Sequence, residues 1–418
     1  MSGQQGEQGE QGEQGEQGQQ GEGDWPSSGA SMRSAGAGLG PFASLLPGGN
    51  GGATLGHIYT REALIGGLDA PDMRWSPPIA FQDAIADGLP RPSSTLRFAR
   101  YASDIRQIDL LAELMNGIRL RADDMGSVRM EHVDLQPASA CGGTGGCVTG
   151  HLYPVFSISR PGRAVFEGEQ LVLVKQWAEL RIERIGEINS QLGVPWRYWS
   201  PVMDLNPTSH PHTLEILALA VRLAYHVLQP VKQYLACPRP ATYWPAIIPV
   251  IRPRRFEAFP SGHALEAFLV ARLLGAIATG AGRPVAAIDR PLQRLATRIA
   301  SNRVVAGVHF HLDSVAGRMV AESLAEYFIH RCQPARPAMP GWVPRHFGGA
   351  GLEPDDPALA SAFDRSEVMD GPNTSSAYFA ANKAAVRLAP HLDEGLVDGS
   401  HGRSLLHTVW SRAEQEWQ

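Results

Sequence analysis

SGHALEAFLVARLLGAIATG, residues 261–280, decides the reading of the fold. Ser261 is a good N-cap, and an apolar helical pattern follows it at once. Glu266 and Arg272 are the charges that interrupt the run. Four further stretches carry helical patterning. Glu167 to Leu192 places Leu171, Val174, Ala178, Ile182, Ile185 and Ile188 on one broad face. His212 to about Ala236, Pro291 to about Val305, and about Phe310 to Ile329 complete the set. Short, turn-rich connections join several of them, which predicts an all-α helical bundle core.

The flanks are less regular. A Gly-Glu-Gln repeat runs to about Glu22 and a Gly/Ser/Ala/Pro tract continues to about Asn50, a composition expected to stay disordered. Tyr101 to Arg121 reads as a helix, with Ile105, Ile108, Leu111, Leu114 and Ile118 at helical spacing. Ser127 to Ser159 is richer in Gly and β-branched residues, consistent with loops and a hairpin. Pro334 to Gly351 reads as a linker, and about Ser376 to Leu388 as a short helix. The division is a tail over residues 1–53, a mixed and partly irregular N-terminal region over 54–163, a helical core over 164–332 and a C-terminal extension over 333–418.

The chain has 418 residues, 43% of them hydrophobic and 19% charged, and a formal net charge of -5. A sizeable core is affordable, and nothing in the charge suggests a nucleic-acid surface. An anion site must come from locally gathered Arg and Lys. Four cysteines, Cys141, Cys147, Cys237 and Cys332, have neither zinc-ligand spacing nor the density of a disulfide framework. Whether Cys141 and Cys147 pair stays open. No signal peptide and no uninterrupted apolar run of about 20 residues is visible. The expectation is a soluble, cytoplasmic protein with no transmembrane segment.

Three separated segments carry chemistry. In the first, Ser261, Gly262 and His263 open a helix, whose outward-pointing N–H groups cradle a tetrahedral oxyanion, with Gly262 allowing close approach. In the second, His309 and Asp313 are four apart and share a helical face. Asp313 can then fix the tautomer of His309 and leave its other nitrogen as nucleophile or ligand. Arg303 is off that face unless a turn at Gly307 breaks the helix. In the third, Lys232 and Arg239 are seven apart, but Pro238 opposes continuation, so Arg239 is expected just beyond a helix end. Two such cations can neutralise two oxygens of one anion. Each segment alone also has a bland reading: a capped surface helix, a buried histidine with a local carboxylate, two solvated charges.

Together, Lys232-x6-Arg239-Pro240, Pro260-Ser261-Gly262-His263 and Arg303-x5-His309-x3-Asp313 resemble the three-part signature of the type 2 phosphatidic acid phosphatase (PAP2) superfamily. That superfamily joins histidine phosphatases with vanadium-dependent haloperoxidases. The resemblance covers about Thr213 to Tyr327. One departure is Asn302, where the family usually has Ser. The resemblance implies a helical bundle with the site between helices. It also implies His309 as nucleophile forming a phosphohistidine, Asp313 orienting it, and His263 as acid and then base. Lys232, Arg239 and Arg303, with the amides near Ser261 and Gly262, would stabilise the transition state. No metal or cofactor is then needed, and the partner is a small anionic substrate.

The same site could hold vanadate with His309 as its axial ligand, since vanadate adopts the geometry phosphate only passes through. Phe256, five residues before Ser261, favours vanadate by similarity to chloroperoxidases, whereas Gln229 departs from them, having no Trp at three before Lys232. The balance leans to phosphate-ester hydrolysis, with haloperoxidase as the alternative. Substrate identity and oligomeric state stay unread.

Overall fold

The structure, a computed structural model, describes residues 98, 101–137, 148–192, 196–253, 256–333, 342–352 and 404–418. The low-complexity tail, Cys141, Cys147, Arg254, Arg255 and the helix expected over Ser376 to Leu388 lie outside them.

The core is built on α6 (Gly262–Gly280), which Ser261 caps. Nearly every residue from Ala264 to Ala278 is buried, because α6 packs on three neighbours at once. These are α5 (Pro211–Leu235), α7 (Val285–Val305) and α8 (His311–Cys332). A helix surrounded in this way needs apolar residues on all sides, so it shows no amphipathic stripe. Before these come α1 (Ser103–Met115), α2 (Leu171–Trp177), α3 (Arg181–Ser190) and α4 (Trp196–Met203). A last helix, α9 (Leu405–Gln415), docks on α5. The molecule is mostly helical.

The all-α expectation needs a correction, because a four-stranded mixed sheet is present. Its strands are β1 (Ile118–Ala122), β2 (Ser127–Pro137), β3 (Val148–Ser159) and β4 (Arg345–Gly348), in the order β1-β2-β3-β4. The first two pairings are antiparallel and β3–β4 is parallel. Val128, Met130, Phe156 and Ile158 are buried, and β3 and β4 pack on α8. The hairpin expected over Ser127 to Ser159 is thus β2–β3. Ile118 belongs to a strand instead of α1, because Gly117 at φ 87° ends the helical path. The stretch expected to be a linker contributes β4, which pairs only with a strand about 190 residues away and so leaves no local signal.

The helix expected over Glu167 to Leu192 is broken twice. A π-helical turn covers Phe166–Gln170, with Gly168 at a non-helical ψ of -128°, and a 3-10 turn covers Ala178–Leu180. The helix expected from Pro291 begins at Val285, with Pro284 in the capping position.

The expectation of no candidate transmembrane segment does not hold, and the cytoplasmic location built on it falls. The helical stretch Pro211–Tyr243 and the helix Gly262–Gly280 are both long and apolar enough to cross a membrane. Two of the charges that interrupt these runs are paired. Glu215 meets Arg106 at 2.8 Å, and Arg272 meets Glu322 at 3.0 Å. In the structure, 61% and 72% of the most apolar windows are packed inside the protein.

Candidate active site

Lys232 lies in the last turn of α5, fully buried. The helix stops at Ala236, a left-handed residue (φ 50°), so Arg239 sits beyond its end. Both cations are tied to the loop before α6. Lys232 Nζ donates to the carbonyls of Glu257 (3.0 Å) and Ala258 (2.8 Å). Arg239 Nε donates to the Phe256 carbonyl (3.0 Å) and its Nη1 to that of Val308 (2.9 Å). The Phe256 ring lies 5.4 Å from Lys232 Nζ and 5.3 Å from the Arg239 guanidinium.

Ser261 is the N-cap of α6, its hydroxyl accepting from the Ala264 N–H (3.4 Å), with Gly262 and half-buried His263 in the first turn. The Ser261 N–H donates to the Asp313 carbonyl at 2.8 Å, which stitches the start of α6 to the start of α8. Gly317 makes this approach possible. A Cβ there would lie 2.5 Å from the Ser261 carbonyl oxygen. At Gly262 a Cβ would meet Leu228 at 3.3 Å.

Arg303 occupies the last turn of α7, fully buried. The turn at Gly307 has φ 79°, and a Cβ there would lie 2.6 Å from Arg181 Nη2. Arg181 pins the turn from outside through the carbonyls of Val305 (2.9 Å) and Ile248 (2.8 Å).

His309 and Asp313 meet, but not on a shared helical face. His309 precedes α8, Phe310 is the N-cap, and Asp313 is the third helical residue. Asp313 Oδ2 reaches back to accept from the Phe310 N–H (2.9 Å) and from His309 Nδ1 (3.0 Å). The proton on Nδ1 leaves the Nε2 lone pair as the reactive face of the ring. Burial first, then Arg239, Lys232, His263 and Arg303, hold the His309 pKa well below the usual value. Both effects favour the neutral ring in its hydrogen bond to Asp313. Burial pushes Asp313 up to about 7, against the Phe310 N–H, Lys232 and Arg239. Arg239, Lys232, His263 and Arg303 thus all lie within electrostatic reach of the buried His309 imidazole.

Sequence reading missed the supports. Gln170, in the π-helical turn, accepts the Leu312 N–H with its side-chain oxygen (2.9 Å) and so caps α8. Phe166 packs on Tyr243, Phe259 and Phe310 and so backs both histidine segments. Neither leaves a local signal, since a Gln and a Phe within an amphipathic pattern are ordinary. His311 faces away from the site against Trp177, at 4.2 Å between rings. Tyr234 is exposed, and half-buried Trp244 lies under Lys175 at 3.0 Å. Among the described residues, no group of three or more His, Cys, Asp or Glu could hold a metal ion.

Residues 213–337 match the family model of the PAP2 superfamily, so this stretch of the chain is a PAP2-superfamily region. It contains every residue of the site and supports a phosphatase-like function at superfamily level. No curated protein matches the chain.

Proposed function

We propose that the chain hydrolyses a phosphate ester through a histidine nucleophile, in a helical bundle of the PAP2/haloperoxidase type. The observation that carries the reading is the buried His309 ring, bonded through Nδ1 to Asp313 and within reach of the charges of Lys232, Arg239, Arg303 and His263. His309 Nε2 attacks phosphorus, a P–N bond forms, and the P–O bond to the leaving alcohol breaks. His263 gives that oxygen a proton. It then takes a proton from water, whose oxygen attacks phosphorus and releases His309. Lys232, Arg239 and Arg303 balance the charge on the equatorial oxygens, with the amides at Ser261 and Gly262.

A second reading, a vanadium-dependent haloperoxidase, is favoured by Phe256. Its ring lies beside both Lys232 and Arg239 and would flank an anion held between them. The donor set fits vanadate, with His309 as its protein ligand and the three cations around its oxygens. Bound vanadate would supply activation of hydrogen peroxide for halide oxidation.

One assay separates them. Phosphate-ester hydrolysis and peroxide-dependent bromide oxidation are measured with and without orthovanadate, on the wild type and His309→Ala. The expected result is hydrolysis that vanadate inhibits and that His309→Ala abolishes. Vanadate-activated bromide oxidation would favour the second reading, and hydrolysis indifferent to vanadate would count against the first.

A further inference from the structure

Behind Arg303 lies a buried polar network that the proposed chemistry does not use. Gln191 follows α3 directly, and its Oε1 accepts from Arg303 Nη2 (2.9 Å) and from Asn302 Nδ2 (3.0 Å). The Gln191 amide nitrogen donates to Glu187 Oε1 (3.0 Å). Asn302 Nδ2 also donates to Glu187 Oε1 (2.9 Å), while Asn302 Oδ1 faces Arg184 Nη1 at 3.3 Å. Glu187 is in turn held by Arg298 at 2.7 Å. Gln191, Asn302, Arg303 and Arg184 are all fully or almost fully buried.

The amide orientations are over-determined. Turning Gln191 over would set its NH2 against two donors, Asn302 Nδ2 and Arg303 Nη2, in a site without bulk water. Turning Asn302 over would set its NH2 against Arg184 and its oxygen against the Glu187 carboxylate. One carboxylate, Glu187, thus fixes two amides, so that Gln191 presents its oxygen to the Arg303 guanidinium and Asn302 its oxygen to Arg184. The backbone carbonyl of Ile188 holds the same Nη2 at 3.1 Å. Arg303 is long and rich in rotamers, so an arginine that must meet an oxyanion at one angle needs such a brace. Asn302 stands where the resembling family usually has Ser, and its longer amide is what reaches Glu187 and Gln191.

We propose that Gln191 and Asn302 are positioning residues that aim the Arg303 guanidinium at the oxyanion. The proposal rests on the reading of Arg303 as an oxyanion-binding residue.

The test is a double-mutant cycle on the full chain, read by calorimetric titration with inorganic phosphate and by kcat and KM for an aryl phosphate. Gln191→Met keeps volume and removes the acceptor. We expect it to weaken phosphate binding about tenfold and to lower kcat more than it raises KM. In an Arg303→Ala background the same substitution should change neither. If Gln191→Met does not fold, Asn302→Ser, which removes one of the hydrogen bonds that orient Gln191, carries the same expectation at about threefold. A Gln191→Met effect that persists undiminished without Arg303 would overturn the proposal, as would wild-type binding in a folded Gln191→Met protein whose Arg303→Ala counterpart has lost it. Phosphate affinity left undiminished by Arg303→Ala would instead overturn the underlying reading of the site.

Discussion

Lys232 is a cation buried beside another cation. Burial first, and the Arg239 guanidinium second, push it down to about 7. An arriving phosphate dianion supplies the opposite charge and raises it again, since a nearby anion favours the charged amine. The sign follows. Above about pH 7 the free amine is largely neutral and must take up a proton when phosphate binds, so affinity falls as pH rises through that point. Calorimetric titration with phosphate at pH 8, in two buffers of different ionisation enthalpy, should show net proton uptake. Lys232→Met should lose most of it, and equal uptake in that variant would place the proton elsewhere. At this scale much of the site was legible. The N-cap at Ser261, the turn at Gly307 and the position of Arg239 past a helix end each follow from local backbone chemistry. Gln170 and Gln191 were not legible, because their partners Leu312 and Arg303 lie 142 and 112 residues away.

At the scale of elements, the site depends on how closely α6 and α8 approach at their N-terminal ends. Gly317 sets that distance, and it sits within regular helix, so its lack of a side chain matters for packing and not for backbone angle. Gly317→Ala would force the Ser261 carbonyl away from a Cβ at 2.5 Å. Overpacking of this kind costs about 1–3 kcal/mol. The expected outcome is a lower denaturant midpoint together with a drop in kcat, because the α6 amides move with Ser261. An unchanged midpoint would mean that the two helices separate without cost. The pairing of α6 with α8 was not readable from either helix. Both are apolar or buried on every side, so neither has a stripe to show which neighbour it meets. The i,i+4 pairing of His309 and Asp313 was expected for the wrong geometric reason. A capping residue reaching back over the N-cap spans the same sequence distance as two neighbours on a helical face.

The whole molecule is closed by its described C-terminal segment, for which sequence reading offered nothing. Glu416 accepts from the N–H groups of His212 (2.7 Å) and Thr213 (2.8 Å) and from the Thr213 hydroxyl (2.7 Å). A carboxylate thus meets the N–H groups left unpaired within the helix at the start of α5, which carries Lys232. Trp417 donates to the same Thr213 hydroxyl (3.0 Å), and Glu414 links Trp410 to Gln333. Gly280 leaves room for this docking, since a Cβ there would collide with Glu414. Glu416→Ala strips the cap and leaves buried donors without their carboxylate, which should cost about 1–2 kcal/mol. Thermal unfolding should show a lower midpoint with little change in KM. A variant as stable as the wild type would mean that solvent replaces Glu416 at no cost.

That cap also sets a schedule for biosynthesis. Glu416 lies 203 residues downstream of Thr213, so at ordinary ribosome speeds it is made roughly 10–40 seconds later. Throughout that interval α5 exists in the nascent chain with an unclosed first turn and without α9 against its side. One of the two described helical stretches long and apolar enough to cross a membrane is therefore offered to chaperones, or to a bilayer, well before the residue that finishes it has been translated.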